Sequence, residues 1–153
     1  MEMIILRGLP GSGKSHYAAQ FAANEPTKKV VVASADDFFM TPNGYRFDPF
    51  KLTAAHASCF RRVLNALEAD VDDMVFVDNT NSTAWEMSPY VMLANVFDVP
   101  FVVFRIECDP EVAYARQRHG VPRETFDAIG RRLATEWIPP WWVQRSAPVM
   151  RRR

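Results

Sequence analysis

The chain is 153 residues long, 48% apolar and 24% charged, the ordinary balance of one globular domain large enough to bury a core. Eighteen Lys and Arg cancel eighteen Asp and Glu, so net charge gives no whole-molecule argument for a nucleic-acid partner. No apolar run reaches the roughly 18 residues of a membrane span, "MIIL" is too short for a secretory signal, and Cys59 and Cys108 form no CxxC motif, which together predict a soluble cytoplasmic protein with two buried, unpaired thiols.

The first run, "EMIILR" from residue 2, is apolar without alternation, as expected of a strand covered on both faces. It leads into "GLPGSGKS", Gly8 to Ser15, which fits G-x-x-x-x-G-K-[ST] at every fixed position, between a predicted strand and a helix over residues 14–23. The chemistry needs these residue types. Glycines let backbone N–H groups close on phosphates, Lys14 reaches the β- and γ-phosphates, and the Ser15 hydroxyl can ligate Mg²⁺. Gly8, Pro10, Gly11, Ser12, Gly13, Lys14 and Ser15 are therefore expected to take the phosphates of ATP.

A second run, "KKVVVA", ends in "SADDFF", which sets Asp36 beside Asp37. Adjacent carboxylates raise each other's cost of ionisation, so their pairing asks for a reason. Residues 49–69 carry Phe60, Val63, Leu64 and Leu67 at helical spacing. The third run, "DDMVFVD", places Asp78 at its end. In a phosphate-loop fold an acid there holds Mg²⁺ directly or through water; the plainer reading is a cap for the next helix, a job Asn81 or Ser82 could also do.

A third helix, residues 83–97, opens on a possible capping box of Thr83 and Glu86, and Pro89 is expected to kink it or restart it at Ser88. The fourth run, "VPFVVFRIE", precedes Asp109 and Pro110, which cap and open a helix stopped by His119 and Gly120. A last helix, from Pro122 to the Pro139–Pro140 pair, shows Phe126, Ile129, Leu133, Ala134 and Trp137 on one face. The tail, residues 138–153, is rich in Trp and Arg and is expected to dock by its tryptophans, add an edge strand near Ala147–Met150, and fray at its arginines.

Strands alternating with helices predict an α/β fold of the P-loop NTPase kind, a single domain over residues 1–153 with a mainly parallel sheet of four or five strands sandwiched by helices. Ligands of such sheets bind beyond the carboxyl ends of the strands, which should bring Lys14, Asp36 or Asp37, and Asp78 to one edge. One aspartate then serves as base toward an incoming hydroxyl, while its partner orients substrate or caps the next turn. From Arg105 to Arg153, ten Arg stand against six acids. Arg116, Arg118 and Arg123 flank Gly120 and suit either a cationic lid over the phosphates or a helix C-terminus complementing its dipole. His119 reads as a cap, with donation to substrate as the alternative, and His16 and His56 read as packing residues.

The blocks "LRGLPGSGKS", "SADDFF", "GYRFDP", "DNTN", "AWEMSPYV" and "RQRHGVP" occur in this order over residues 6–122. Together they resemble the P-loop kinase domains of the polynucleotide-kinase-like group, which includes phage 5′-hydroxyl kinases and Nedd-binding eukaryotic relatives. The resemblance implies Lys14 and Ser15 for ATP and Mg²⁺, Asp36 as base toward the acceptor hydroxyl, and Arg116 or Arg118 as the lid cation. Asp37, Arg46 and Asn81 are expected to face the acceptor. Phe39 stands where the phage enzymes carry an arginine that contacts the acceptor phosphate, and the lid has Gln117 where relatives have asparagine. The expected activity is ATP-dependent transfer to a hydroxyl, that of a polynucleotide 5′ end or a nucleotide-like acceptor. The alternatives are a small acceptor such as a sugar, nucleoside or antibiotic, and a nucleotide-binding regulator without transfer.

Overall fold

All four predicted runs become strands in the computed structural model, which describes residues 1–148. In chain order the elements are β1 (Glu2–Arg7), α1 (Lys14–Asn24), β2 (Val30–Ala33), the short hairpin strands β3 (Met40–Thr41) and β4 (Gly44–Tyr45), and α2 (Leu52–Ala69). There follow β5 (Met74–Asp78), α3 (Ala84–Val96), β6 (Phe101–Glu107), α4 (Pro110–Arg116), α5 (Arg123–Thr135) and β7 (Gln144–Pro148). The sheet has five strands in the order β2-β5-β1-β6-β7, every pair parallel, while β3 and β4 form a separate antiparallel hairpin.

Alternate residues of each strand feed opposite layers, as the pleat requires. Met3, Ile5, Val75, Val77 and Val103 pack with Cys59 and Val63 of α2 and Met87 and Val91 of α3. Leu6, Phe76 and Ile106 pack with Ala18 of α1 on the other face. A third cluster, Leu9, Ala113, Phe126, Ile129 and Leu133, fastens α4 and α5 to the phosphate loop. All five residues of β5 are buried, which accounts for its unbroken apolar sequence.

Several boundaries differ from expectation. Helix α3 runs unbroken through Pro89, so it does not restart there and Ser88 is not a cap; the Ser88 hydroxyl donates to the Ala84 carbonyl at 2.9 Å. Pro89 and Trp85, whose carbonyl loses its helical partner, both lie on the exposed side, where water can replace the bond. The capping box of Thr83 and Glu86 forms as predicted. Helix α5 stops at Thr135, because the chain must leave helical geometry ahead of the two prolines, so Trp137 falls outside it and is exposed together with Ala134. Of the tail tryptophans, Trp142 is buried edge-on against Phe101, whereas Trp137 and Trp141 contact each other at the surface. The edge strand begins at Gln144, upstream of the predicted Ala147, and Met150 and the terminal arginines lie outside the described residues. Cys59 is buried, but Cys108 is only partly so.

Candidate functional site

The loop between β1 and α1 starts with a turn in which the Ser12 amide donates to the Leu9 carbonyl at 3.0 Å. Pro10 and Gly11 occupy its two central places, the order that favours a type II turn, and Gly11 has the positive φ of 77° that this turn demands. Gly11 has a second reason to lack a side chain: a Cβ there would come within 2.1 Å of the Ala113 carbonyl oxygen. At Gly8 a Cβ would stand 2.8 Å from the Ile106 carbonyl oxygen and 2.9 Å from Ser12 Oγ. Gly13 opens α1 at φ 107°, and no side chain caps the amides of that first turn. They remain available to an anion at the positive end of the helix.

Lys14 folds back over this loop and donates from Nζ to the carbonyls of Gly8 at 3.0 Å and Leu9 at 2.8 Å. Burial pushes its pKa down to about 8, with Asp78 and Asp36 opposing the shift. The Ser15 hydroxyl donates to Asp78 Oδ2 at 2.6 Å. Asp78 is itself buried, which raises its pKa, partly offset by the Ser15 hydrogen bond and Lys14. A buried carboxylate beside a hydroxyl, both hard oxygen donors facing a phosphate loop, fits a hard dication such as Mg²⁺. Among the described residues no cluster of three or more His, Cys, Asp or Glu offers a closed protein-only cage, so phosphate and water oxygens would complete the shell. Ser12 Oγ is buried and lacks a hydrogen-bond partner, the one such side-chain atom among the described residues.

The adjacent aspartates separate. Asp36 turns toward the hairpin and the turn after α4: Oδ1 accepts from the Tyr45 hydroxyl at 2.9 Å, and Oδ2 lies 3.2 Å from His119 Nδ1. Asp37 turns the other way and pairs with Arg62 of α2 at 3.4 Å, both side chains more than half exposed. Ser34 caps the turn that carries them, accepting from the Asp36 amide at 3.2 Å. Asn79 fixes this turn from the other side, since its Oδ1 accepts from the Ala35 amide at 2.9 Å. The Thr80 carbonyl accepts from the Gly8 amide at 3.0 Å, so the "DNTN" loop braces both the phosphate loop and the Asp36 turn.

Asn81 is a correction. Its side chain is buried and donates to the Leu6 carbonyl at 2.7 Å, and its own carbonyl accepts from Arg7 Nε at 3.1 Å. It holds a left-handed backbone at φ 46°, a conformation asparagine tolerates, and an internal tie of this kind has no face for an acceptor. Arg46 is exposed directly after β4, where its amide donates to the Phe39 carbonyl at 2.8 Å. Arg116 Nη2 reaches the Ser12 carbonyl at 3.5 Å and Cys108 Sγ at 3.3 Å, so this arginine leans over the phosphate loop. Arg118 is exposed with no hydrogen bond among the described residues. Arg123 is committed elsewhere: it pairs with Glu111 and Asp127 and covers the Tyr114 ring at 4.7 Å.

Sequence reading passed over Asn79, Tyr45 and Arg7. Arg7 is buried, donates to the carbonyls of Asn81 and Ser82 at 3.1 Å each, and has its pKa lowered to about 10 by burial and then by Arg105. A charged residue ending an apolar strand was the available signal for it. For Asn79 the signal was its place directly after Asp78. His119 is not a helix cap, because α4 ends at Arg116 and the Gln117 side chain closes the following turn.

Residues 3–134 match a protein-family model described as an AAA domain. NEDD4-binding protein 2 of Homo sapiens is 36% identical over 128 residues, 80% of this chain, which spans only 7% of that relative's length. Kti12 of Chaetomium thermophilum, solved with ADP-AlF3, superposes over 96% of this chain and 89% of its own at 17% identity, with a TM-score of 0.70. A chain of the Pnkp1/Rnl/Hen1 complex superposes over 81% of this chain and 41% of its own at 24% identity and TM-score 0.63. A sugar kinase from Janibacter does so over 97% and 85% at 16% identity and TM-score 0.62. At these identities the solved structures establish the shared α/β P-loop fold and nothing more. Because the family model covers most of the chain, the chain belongs to the AAA-domain family.

Proposed function

We propose that the protein is an ATP-dependent kinase that transfers the γ-phosphoryl group to a hydroxyl acceptor, the 5′-hydroxyl of a polynucleotide or nucleotide-like molecule. The observation that carries this reading is the place of Asp36. Its carboxylate stands at the strand edge that holds the phosphate loop, close enough to Lys14 and Asp78 to perturb both, and half of its side chain is open to solvent. A nucleotide-binding regulator has no need of an exposed carboxylate there.

The chain's own residues divide the work. The amides of Gly11 to Ser15 and the Lys14 ammonium bind the phosphates. Asp36 accepts the proton of the acceptor hydroxyl as its oxygen bonds to the γ-phosphorus and the bond to ADP breaks. Arg116, leaning over the loop, and the unpaired Arg118 offset charge spreading onto the transferring oxygens. Ser15 and Asp78 would hold Mg²⁺, which when bound neutralises the terminal phosphates.

Phe39 favours a second reading, a small hydroxyl acceptor. Its ring is buried against Tyr45 and Phe47, so no cation for an acceptor phosphate stands at that position. Incubation with γ-labelled ATP, Mg²⁺, 5′-hydroxyl oligonucleotides, nucleosides and polyols separates the readings. Label on the oligonucleotide, lost in Asp36→Asn, is the expected result. Label on a small acceptor alone selects the second reading, and no transfer to any acceptor overturns both.

A further inference from the structure

We infer that His119, together with Tyr45, is a positioning residue that clasps the Asp36 carboxylate, so that the lid turn and the base are set as one unit. The inference rests on Asp36 being the base for transfer.

Four separate features converge on this one imidazole. The first is proximity, with Nδ1 of His119 3.2 Å from Asp36 Oδ2 while the Tyr45 hydroxyl holds Oδ1 at 2.9 Å. A carboxylate offers only acceptors, so the hydrogen-bearing nitrogen of His119 must be Nδ1 for this contact to hold. The second is stacking. The His119 and Tyr45 rings lie 4.0 Å apart and within 10° of parallel, which fixes the imidazole plane against the hairpin. The third is the closure of the lid turn: the Gln117 amide donates to the Val121 carbonyl at 3.0 Å and accepts from the Val121 amide at 2.8 Å. That double bond pinches residues 118–120 into a fixed loop. The fourth is Gly120, whose φ of 65° lets the loop return directly after His119.

The clasp adds little to stability, because solvent screens a part-exposed pair of this kind. What it supplies is orientation. With the Tyr45 hydroxyl donating to Oδ1 and the His119 ring held beside Oδ2, the carboxylate plane is set and lone pairs stay open to an acceptor hydroxyl. The same imidazole ties the loop carrying Arg118 to the base, so the lid cation and the base cannot move independently.

The test uses three replacements at His119. His119→Phe keeps the stack without the donor, His119→Asn keeps a donor near the Nδ1 position without the ring, and His119→Ala removes both. Hydrolysis of MgATP and transfer to a 5′-hydroxyl oligonucleotide give kcat and the KM for ATP. Tryptic cleavage after Arg118 reports how firmly the lid turn is held, and thermal melting checks that each variant is folded. The Phe and Ala variants should lose roughly ten- to a hundredfold in kcat with the KM for ATP unchanged, as for a misplaced base. The Asn variant should recover most of that loss. Cleavage after Arg118 should quicken severalfold in His119→Ala and also in Asp36→Ala, which removes the other half of the clasp. A His119→Phe variant with full kcat, or Asp36→Ala with wild-type cleavage, overturns the inference. If the wild-type protein turns over no substrate, the kinase reading falls, while the two cleavage rates still decide whether the clasp exists.

Discussion

Lys14 shows how one buried charge can be costly to the fold that holds it. Its ammonium is almost wholly buried and neutralised only by two carbonyls, with Asp78 and Asp36 at longer range. The unfolded chain holds this proton up to the ordinary value of 10.5, and the folded chain only to about 8. Between those values the unfolded state binds more protons, so the stability of the nucleotide-free protein should rise with pH, by on the order of 2–3 kcal/mol across the window. Denaturation curves from pH 7.5 to 10.5 check this against Lys14→Met, which should lack the rise. Parallel curves for the two proteins would refute the burial account. The aspartate doublet teaches a related lesson: Asp36 and Asp37 are adjacent in the chain, yet their side chains serve different elements, the lid and α2.

Among the elements, α4 and the phosphate loop are the tightest joint near the site. Gly11 lies under the last turn of α4, where a Cβ would overlap the Ala113 carbonyl and crowd the Gln117 amide at 2.8 Å. Gly120 has a positive φ as well, but a Cβ there meets nothing within 4 Å. The two glycines therefore separate backbone strain from steric overlap. Gly120→Ala should cost about 1 kcal/mol, the strain of a left-handed residue. Gly11→Ala should cost clearly more, about 2–4 kcal/mol, because α4 must also shift. Urea denaturation of both variants measures the difference, and equal costs would mean that α4 yields freely. The hairpin β3–β4 shows the opposite case, an element of four residues that no periodicity announces. It forms because Thr41 Oγ1 donates to the Gly44 carbonyl at 2.7 Å and Asn43 and Gly44 allow the turn, and it delivers Tyr45 to Asp36.

Over the whole molecule the tail divides into a structural and a surface part. Trp142 closes the core against Phe101, whereas Trp137 and Trp141 are 65% and 74% exposed. Trp142→Ala should therefore cost about 3–5 kcal/mol, and Trp137→Ala less than about 0.5 kcal/mol. Thermal or chemical denaturation decides it; a large loss at Trp137 would show that the surface pair also carries the fold.

Continuous apolar runs made four of the five sheet strands legible in the sequence, since strands covered by helices on both faces admit little else. Gly8 to Ser15 made the phosphate loop legible, because its constraints are local: a positive-φ turn, no Cβ at the close approach, a lysine and a hydroxyl one residue apart. Asp78 was legible by its place at a strand end. The sequence alone determined these features and the order in which they meet one edge of the sheet. Only the tertiary structure decided that Asp36 and not Asp37 faces the lid, that Asn81 is an internal tie, and that Tyr45 and His119 share one carboxylate. Those choices depend on contacts between residues 9 to 83 positions apart, and spacing along a chain carries no record of which distant side chains its folds will bring together.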